Sequence, residues 1–455
     1  MPIQAVVTAV PDTGSTLIDS LTWGSRWITP GSPTTEIAVG YYPALYGGYG
    51  PNTAELAAIQ SVLNSVEGYL NVNFSFVGAD AGGTISDIRY VISRDDGSGF
   101  YGFAVPPGED PESAAVFGHD LSDVVVIRDN YEVRNGALKP GGFDYVTFMH
   151  ELGHALGLAH PHDNGGTVTD PSLIFPGVTD PFGSYGDFAL NQGVFTTMSY
   201  NDGWETGPYI AHPASYGFQS TFMALDILAL QSIYGANEAF AGGDDTYLMP
   251  ASKKVGVGYS CIWDTGGIDT ITASSRAAAL IDLRAATGLV EDGGGGQVCY
   301  TIGVPGGYTI AAGAVIENAT GSGKGDILVG NEIDNILKGL AGADLMTGGL
   351  GHDTFVFTQI RDTGTILLKA DVIADFEHGV DLIDVHGIDA NARLAGLQDF
   401  AFDGQTASFS GAGALRYDFV NGDTIVFGNT DTDAAAEFQI RLSGIHNLTE
   451  IDFIV

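Results

Sequence analysis

Basic residues are scarce in this chain. It carries 17 Lys+Arg against 55 Asp+Glu, a formal charge of −38. Nucleic acid and anionic membranes repel such a surface, so neither is an expected partner. Cysteine is almost absent, with only Cys261 and Cys299. Two so widely spaced thiols are too few for a zinc framework. They either pair in an oxidising compartment or remain as two buried thiols. No apolar run approaches the length of a transmembrane helix, so membrane insertion is not expected. The start, Met1 to Val10, lacks a basic segment and is interrupted by Pro11 and Asp12. It makes a poor secretory signal peptide, and residues 1–16 read as a leader or short propeptide. The chain is long enough, at 455 residues, for two or three domains.

The acidic residues form no single long run, which argues against a disordered acidic tail. They are scattered among 65 glycines, often as Gly-x-Asp. Carboxylates beside flexible backbone carbonyls suit hard cations such as calcium. A solvated, salt-tolerant surface is the plainer alternative.

One stretch concentrates chemistry, His150-Glu151-Leu152-Gly153-His154-Ala155-Leu156-Gly157-Leu158-Ala159-His160. On a helix, His150 and His154 leave the same face one turn apart. That spacing suits two ligands of a tetrahedral zinc. Glu151, beside the first ligand, is placed to act as general base toward an attacking water. Gly157 ends the helix by taking a left-handed conformation. His160 then returns from another direction. Three neutral nitrogens with an open fourth position describe a catalytic zinc site rather than a closed structural one.

The flanking sequence reads as strands and helices. Thr35 to Tyr42 alternates as a strand, and Asn52 and Thr53 cap a helix running to Tyr69. Leu56, Ile59, Val62, Leu63 and Val66 supply its apolar stripe. Strands follow at Asn71 to Val77, Ile85 to Ile92 and Asp123 to Arg128. Phe103 to Val105, stopped by Pro106 and Pro107, suits an edge strand. Such an edge can accept an extended peptide by strand addition. The order is that of an α/β domain, a twisted mixed sheet packed by helices. Past His160 the chain is loop-rich, and His162 is expected at the surface. Met198 and Tyr200 follow in the run Thr197 to Tyr200. A tyrosine hydroxyl near zinc can ligate the resting metal or donate to a developing oxyanion. Met223 to Tyr234 is a further helix, with Asp226 inside it.

After about Ala239 helical periodicity disappears. Asp264 to Asp269 offers two carboxylates within six residues. A nine-residue repeat then starts at Gly321, Gly330, Gly339 and Gly348. Its sixth place holds Asp326, Asn335, Asp344 and Asp353, and its eighth holds Leu328, Leu337, Met346 and Phe355. The pattern describes an all-β parallel β-roll, in which each turn offers oxygens to calcium and each short strand turns one apolar residue inward. Stacked carboxylates repel without a cation, so this part is expected to fold with calcium. Lys324 and Ile333 stand where glycine is usual, which leaves open whether every turn binds calcium.

Taken together, these residues resemble the serralysin family, secreted bacterial zinc endopeptidases of the metzincin clan. The resemblance rests on the histidine motif followed by Pro161, on Met198-Ser199-Tyr200, on Trp263 to Thr270, on Ile316-Glu317-Asn318-Ala319, and on the ending Asp452-Phe453-Ile454-Val455. It implies a metzincin-type protease domain over residues 17–238 and a calcium-binding roll with a C-terminal secretion signal over 239–455. It implies zinc on His150, His154, His160 and Tyr200, with Glu151 as base. Met198 would form the turn beneath the metal, and Tyr200 would stabilise the oxyanion. Asp264, Gly266, Asp269, Glu317, Asp326, Asp344 and Asp353 would be calcium ligands. It further implies a secreted monomer with polypeptide substrates, export by type I secretion machinery, and a proteinaceous inhibitor as a further candidate partner. A non-enzymatic alternative is a calcium-binding surface or adhesion module carrying a vestigial protease domain. Intact Glu151 and the intact histidine triad count against it.

Overall fold

The computed structural model describes residues 5–42, 50–93, 101–109, 119–127, 136–163, 173–208, 213–274 and 276–455. Met1 to Gln4 and Arg128 lie outside them.

Alternation along β3 (Thr35–Tyr42) buries Ile37 and Val39, and β3 sits inside a five-stranded sheet. The order is β4 (Val72–Ala79), β3, β5 (Ile88–Ser93), β7 (Ser122–Ile127) and β6 (Gly102–Ala104). All neighbours are parallel except β6, which runs antiparallel to β7 at the edge. Strand β5 begins at Ile88 rather than Ile85. The Asp80 carboxylate gathers the N–H groups of Thr84, Ile85 and Ser86, and a turn replaces the first rungs.

After the short helix α1 (Thr16–Asp19), helix α2 (Thr53–Tyr69) connects β3 to β4. Asn52 and Glu55 form a capping box, each side chain accepting from the other's backbone N–H. Ile59, Val62, Leu63 and Val66 are buried as the apolar pattern requires, whereas Leu56 is only partly covered and the capping Glu55 is buried instead.

Helix α3 (Phe143–Ala155) carries His150 and His154 and includes Tyr145, Val146, Phe148 and Met149. The N-terminal segment braces its end. Trp23 donates to Gly157, Ala159 donates to Leu21, and the buried Trp27 indole donates to Ala155 O at 2.8 Å. Trp27 belongs to β2 (Ser25–Ile28), which pairs antiparallel with β1 (Val6–Ala9). Gly157 is required twice here. Its φ is +100°, and a Cβ would lie 2.4 Å from Ser25 O. Helix α4 (Ala224–Tyr234) completes this part.

The repeat region forms two facing parallel sheets. Ile327–Val329 pairs with Leu345–Thr347 in one, and Ile336–Lys338 with Thr354–Val356 in the other. Leu328, Leu337, Met346 and Phe355 are all fully buried between the sheets, as the eighth-place pattern requires. Phe453–Ile454 adds a last parallel rung against Leu382–Asp384. Cys261 and Cys299 are both free and buried. Their strands are separated by Gly307–Ile310, which pairs with each of them.

Candidate active site and metal centre

The three imidazoles converge through their Nε2 atoms. His160 Nε2 lies 3.0 Å from both His150 Nε2 and His154 Nε2. Each ring is held by its other nitrogen. His150 Nδ1–H donates to Thr197 O at 2.9 Å, and His154 Nδ1–H to Leu158 O at 2.8 Å. His160 Nδ1–H donates to the Asp163 carboxylate. These bonds fix the tautomer, so that each Nε2 lone pair is free and aimed at a common point.

Burial, first of all, drives the three imidazoles neutral. It lowers His150 to about 4 and holds His154 and His160 well below the ordinary histidine value, with neighbouring imidazoles adding to the effect. Three neutral nitrogens this close are what a tetrahedral zinc needs. Bonds of about 2.0–2.1 Å would separate its ligands by roughly 3.3 Å. The donor set fits zinc.

Glu151 follows His150 on α3, and its charge reaches the Tyr200 phenol. It is buried, and its Oε2 has no hydrogen-bond partner among the described residues. Burial raises its carboxyl to about 8. A dication nearby would favour the charged form. Edge strand β6 passes directly over this carboxylate at Gly102. A Cβ there would lie 2.8 Å from Glu151 Oε1 and 2.8 Å from Val125 O. Only glycine lets the edge run so close to the base.

Beneath α3 lies the buried Met198. A Cβ on Gly153 would fall 2.7 Å from its sulfur. Gly153, between the two helical histidines, thus makes room for Met198. The segment Thr196 to Met198 is anchored by Asp226 of α4. This buried carboxylate accepts from Thr196 Oγ1 and Thr197 N, both at 2.6 Å, and from Met223 N at 2.9 Å. Thr197 in turn holds His150. Gly102, Gly153 and Asp226 were not among the sequence-derived site residues. An acidic residue near the start of a helix was the one available signal for Asp226.

The Tyr200 ring stands at the rim, 4.6 Å from the His160 ring and 5.9 Å from His150 between centroids. Burial, followed by the Glu151 charge, raises its phenol to about 12, so it keeps its proton as a donor. Phe182, largely exposed, extends this aromatic wall at 5.2 Å from Tyr200. His162 is not at the surface. Its ring is partly buried and stacks on His160 at 4.8 Å, with Asp163 shared between them.

A second cluster forms where Asp245, Asp264 and Asp269 bring carboxylate oxygens within 4.8 Å of one another. Asp264 accepts from Tyr247 OH and from Gly266 N. Asp269 is fully buried, and its Oδ2 has no partner among the described residues. Glu317 accepts from Asp269 N at 2.7 Å. Asp245 joins Asp264 and Asp269 only through the fold. In the roll, Asp326, Asp344 and Asp353 are all buried. Burial and neighbouring carboxylates raise Asp344 to about 9 and Asp353 to about 7. Asp371, beyond the repeats, joins the stack by accepting from Asp344 N at 2.9 Å. Oxygen-rich, carboxylate-dense sites of this kind fit calcium.

Comparison with known proteins places the chain among its relatives. The family described as Peptidase M10 serralysin C terminal is matched by residues 224–455. Serralysin of Proteus mirabilis is 30% identical over 413 residues, covering 83% of this chain and 76% of that one. Serralysin G of Dickeya chrysanthemi is 28% identical over 417 residues, covering 86% and 78%. Serralysin C of Dickeya chrysanthemi is 34% identical over 342 residues, covering 69% and 64%. With this match across half the chain and relatives spanning most of it, the chain belongs to the serralysin family and is a zinc metalloendopeptidase.

Proposed function

We propose that the chain is a secreted endopeptidase of extracellular proteins, with His150, His154 and His160 holding zinc and Glu151 as its base. The observation that carries this reading is the convergence of three hydrogen-bonded, neutral imidazoles beside a buried carboxyl. Zinc held there supplies a Lewis acid for the scissile carbonyl and makes water easier to deprotonate. Glu151 takes the proton from the attacking water and delivers it to the leaving amine nitrogen. The Tyr200 hydroxyl donates to the carbonyl oxygen as that oxygen gains negative charge, and would be the group to hold a resting metal's open position. Met198 supports the floor of the site. Edge strand β6 aligns the substrate backbone beside Glu151.

Residues 17–238 form the protease unit in this reading, after a leader or propeptide at 1–16. Residues 239–455 form the calcium-binding roll, with Asp264, Gly266, Asp269, Glu317, Asp326, Asp344 and Asp353 as ligands and a C-terminal signal for type I export. No helix of the described residues is long and apolar enough to cross a membrane.

The decisive experiment is Glu151→Gln. Casein cleavage is expected to fall by about 10²–10⁴-fold, the usual contribution of a general base, with zinc content unchanged by metal analysis. Undiminished cleavage with zinc retained would remove Glu151 from the mechanism. A fusion of residues 239–455 to a passenger tests export.

A further inference from the structure

The turns of the roll do not treat their oxygens alike. At Asp344, Oδ1 accepts from Asp326 N at 2.8 Å, whereas the buried Oδ2 has no partner among the described residues. Asp371 repeats this arrangement, with Oδ1 accepting from Asp344 N and Oδ2 left over. A buried carboxylate oxygen without a donor calls for a cation.

The turn containing Asn331 and Asn335 faces Ile316 and Glu317, and both asparagine side chains are satisfied in it. Asn335 Nδ2 donates to Glu317 O at 2.8 Å and to Asn331 Oδ1 at 3.0 Å. Asn331 Nδ2 donates to Ile316 O at 2.9 Å. Two successive backbone carbonyls, of the kind that ligate calcium, therefore already accept from side-chain amides. The amide orientation is fixed from the other side, because Asn335 Oδ1 accepts from Asn331 N at 2.8 Å. Flipping Asn335 to offer its oxygen to a cation would set its NH2 against that backbone N–H, donor against donor. Calcium binds oxygens only, and an NH2 group pointing into the space repels it.

We propose that the rung between Ile316-Glu317 and Asn331-Asn335 takes no calcium, the two asparagine amides doing there what a cation does around Asp344. This rests on the calcium-binding reading of the roll. It makes the rung a pre-closed platform from which the calcium-dependent turns continue. It also gives Asn335, the one exception at the sixth place of the repeat, a structural purpose. The Glu317 side chain is free to serve the Asp269 cluster, while its backbone carbonyl belongs to the platform.

The test is calcium stoichiometry of the full chain, measured by metal analysis after equilibrium dialysis against calcium chloride. Asn335→Ala is expected to bind as many ions as the wild type while losing thermal stability equally with and without calcium. Asn335→Asp, which replaces the NH2 with a carboxylate oxygen, is expected to bind one ion more. Its melting temperature in EGTA should fall below that of the wild type, and saturating calcium should restore it. One ion fewer in Asn335→Ala would make Asn335 a ligand and overturn the proposal. No gain in Asn335→Asp would overturn it as well. Asp344→Asn is the separate control on the calcium reading itself. It should lose at least one ion, and its failure to do so would sink that reading whatever the asparagine variants show.

Discussion

The histidine centre and the roll both gather metal-binding atoms, but they hold them in opposite ways. At the histidine centre every ligand is neutral, and each ring is tied down by its second nitrogen, to Thr197, Leu158 or Asp163. Nothing in that set repels strongly, so the constellation stands on hydrogen bonds alone. In the roll, Asp344 and Asp371 stack in a buried row where burial resists their ionisation until a cation is present, and each keeps an oxygen without a donor. That row is an incomplete structure until a cation completes it. One site is organised for its metal, while the other is organised by it.

Selective metal removal separates the two most sharply. Stripping zinc with 1,10-phenanthroline should abolish proteolysis and leave the far-UV circular dichroism spectrum unchanged. Chelating calcium with EGTA should reduce the β signal of the roll, with hydrogen-exchange protection lost around Asp344 and Asp371 while the asparagine rung keeps its structure. A zinc-free protein that loses secondary structure would place both regions in one class and break the distinction.

A smaller effect is expected from Gly102→Ala. The added carbon meets Val125 O and Glu151 Oε1, both at 2.8 Å, so either the edge strand lifts or the base moves. A displacement of about 1 Å at a reacting group costs on the order of 10²-fold in rate. The loss should fall on kcat/KM for peptides, with zinc content intact. If Gly102→Ala cleaves normally, the edge strand is not the partner of Glu151.

How much of this was legible in the sequence follows the same division. The histidine spacing, Gly157, the edge strand stopped by two prolines and the inward eighth-place residues all rest on local periodicity or local backbone chemistry. They appear in the structure where that chemistry puts them. Gly102 and Gly153 were not legible, because what each makes room for is distant in sequence: Glu151 for one and Met198 for the other. Asp245 and Asp371 were missed for a related reason. Neither lies in the repeat, and each reaches its cluster only when strands far apart in sequence come together. His162 was expected at the surface because a fourth imidazole would crowd the metal. Stacking on His160 gives it a partly buried place without ligation.

Gly153→Ala probes the floor of the histidine centre. Its Cβ would approach the Met198 sulfur to 2.7 Å and Phe222 to 3.2 Å. Overpacking of this sort costs about 1–3 kcal/mol. A flexible methionine should keep it near the lower end. Denaturant unfolding of the zinc-loaded protein reads it directly. An unchanged midpoint would mean that Met198 is loosely held and is no floor at all.

The smallest effect concerns Asp226, a carboxylate that, like those of the roll, is buried and organises backbone around it. It differs in being satisfied, with three donors from Thr196, Thr197 and Met223. Burial nevertheless raises it to about 6. Between the unfolded carboxyl value near 4 and that folded value, the folded chain holds a proton that the unfolded chain has released. Its contribution to stability is therefore fully present below about pH 4 and is lost as pH rises through 6. Asp226→Asn cannot titrate, so the stability difference between wild type and variant should be more favourable to the wild type at pH 4 than at pH 7. The asparagine also turns an NH2 toward one of three donors, which should loosen Thr197 and, through it, His150. Zinc affinity is then expected to fall by about 10-fold, the low end for a group acting through a ligand's hydrogen-bond partner. A pH-independent stability difference, with zinc affinity untouched, would show that the histidine centre stands without Asp226, and its pre-organisation would then rest on the three Nδ1 bonds alone.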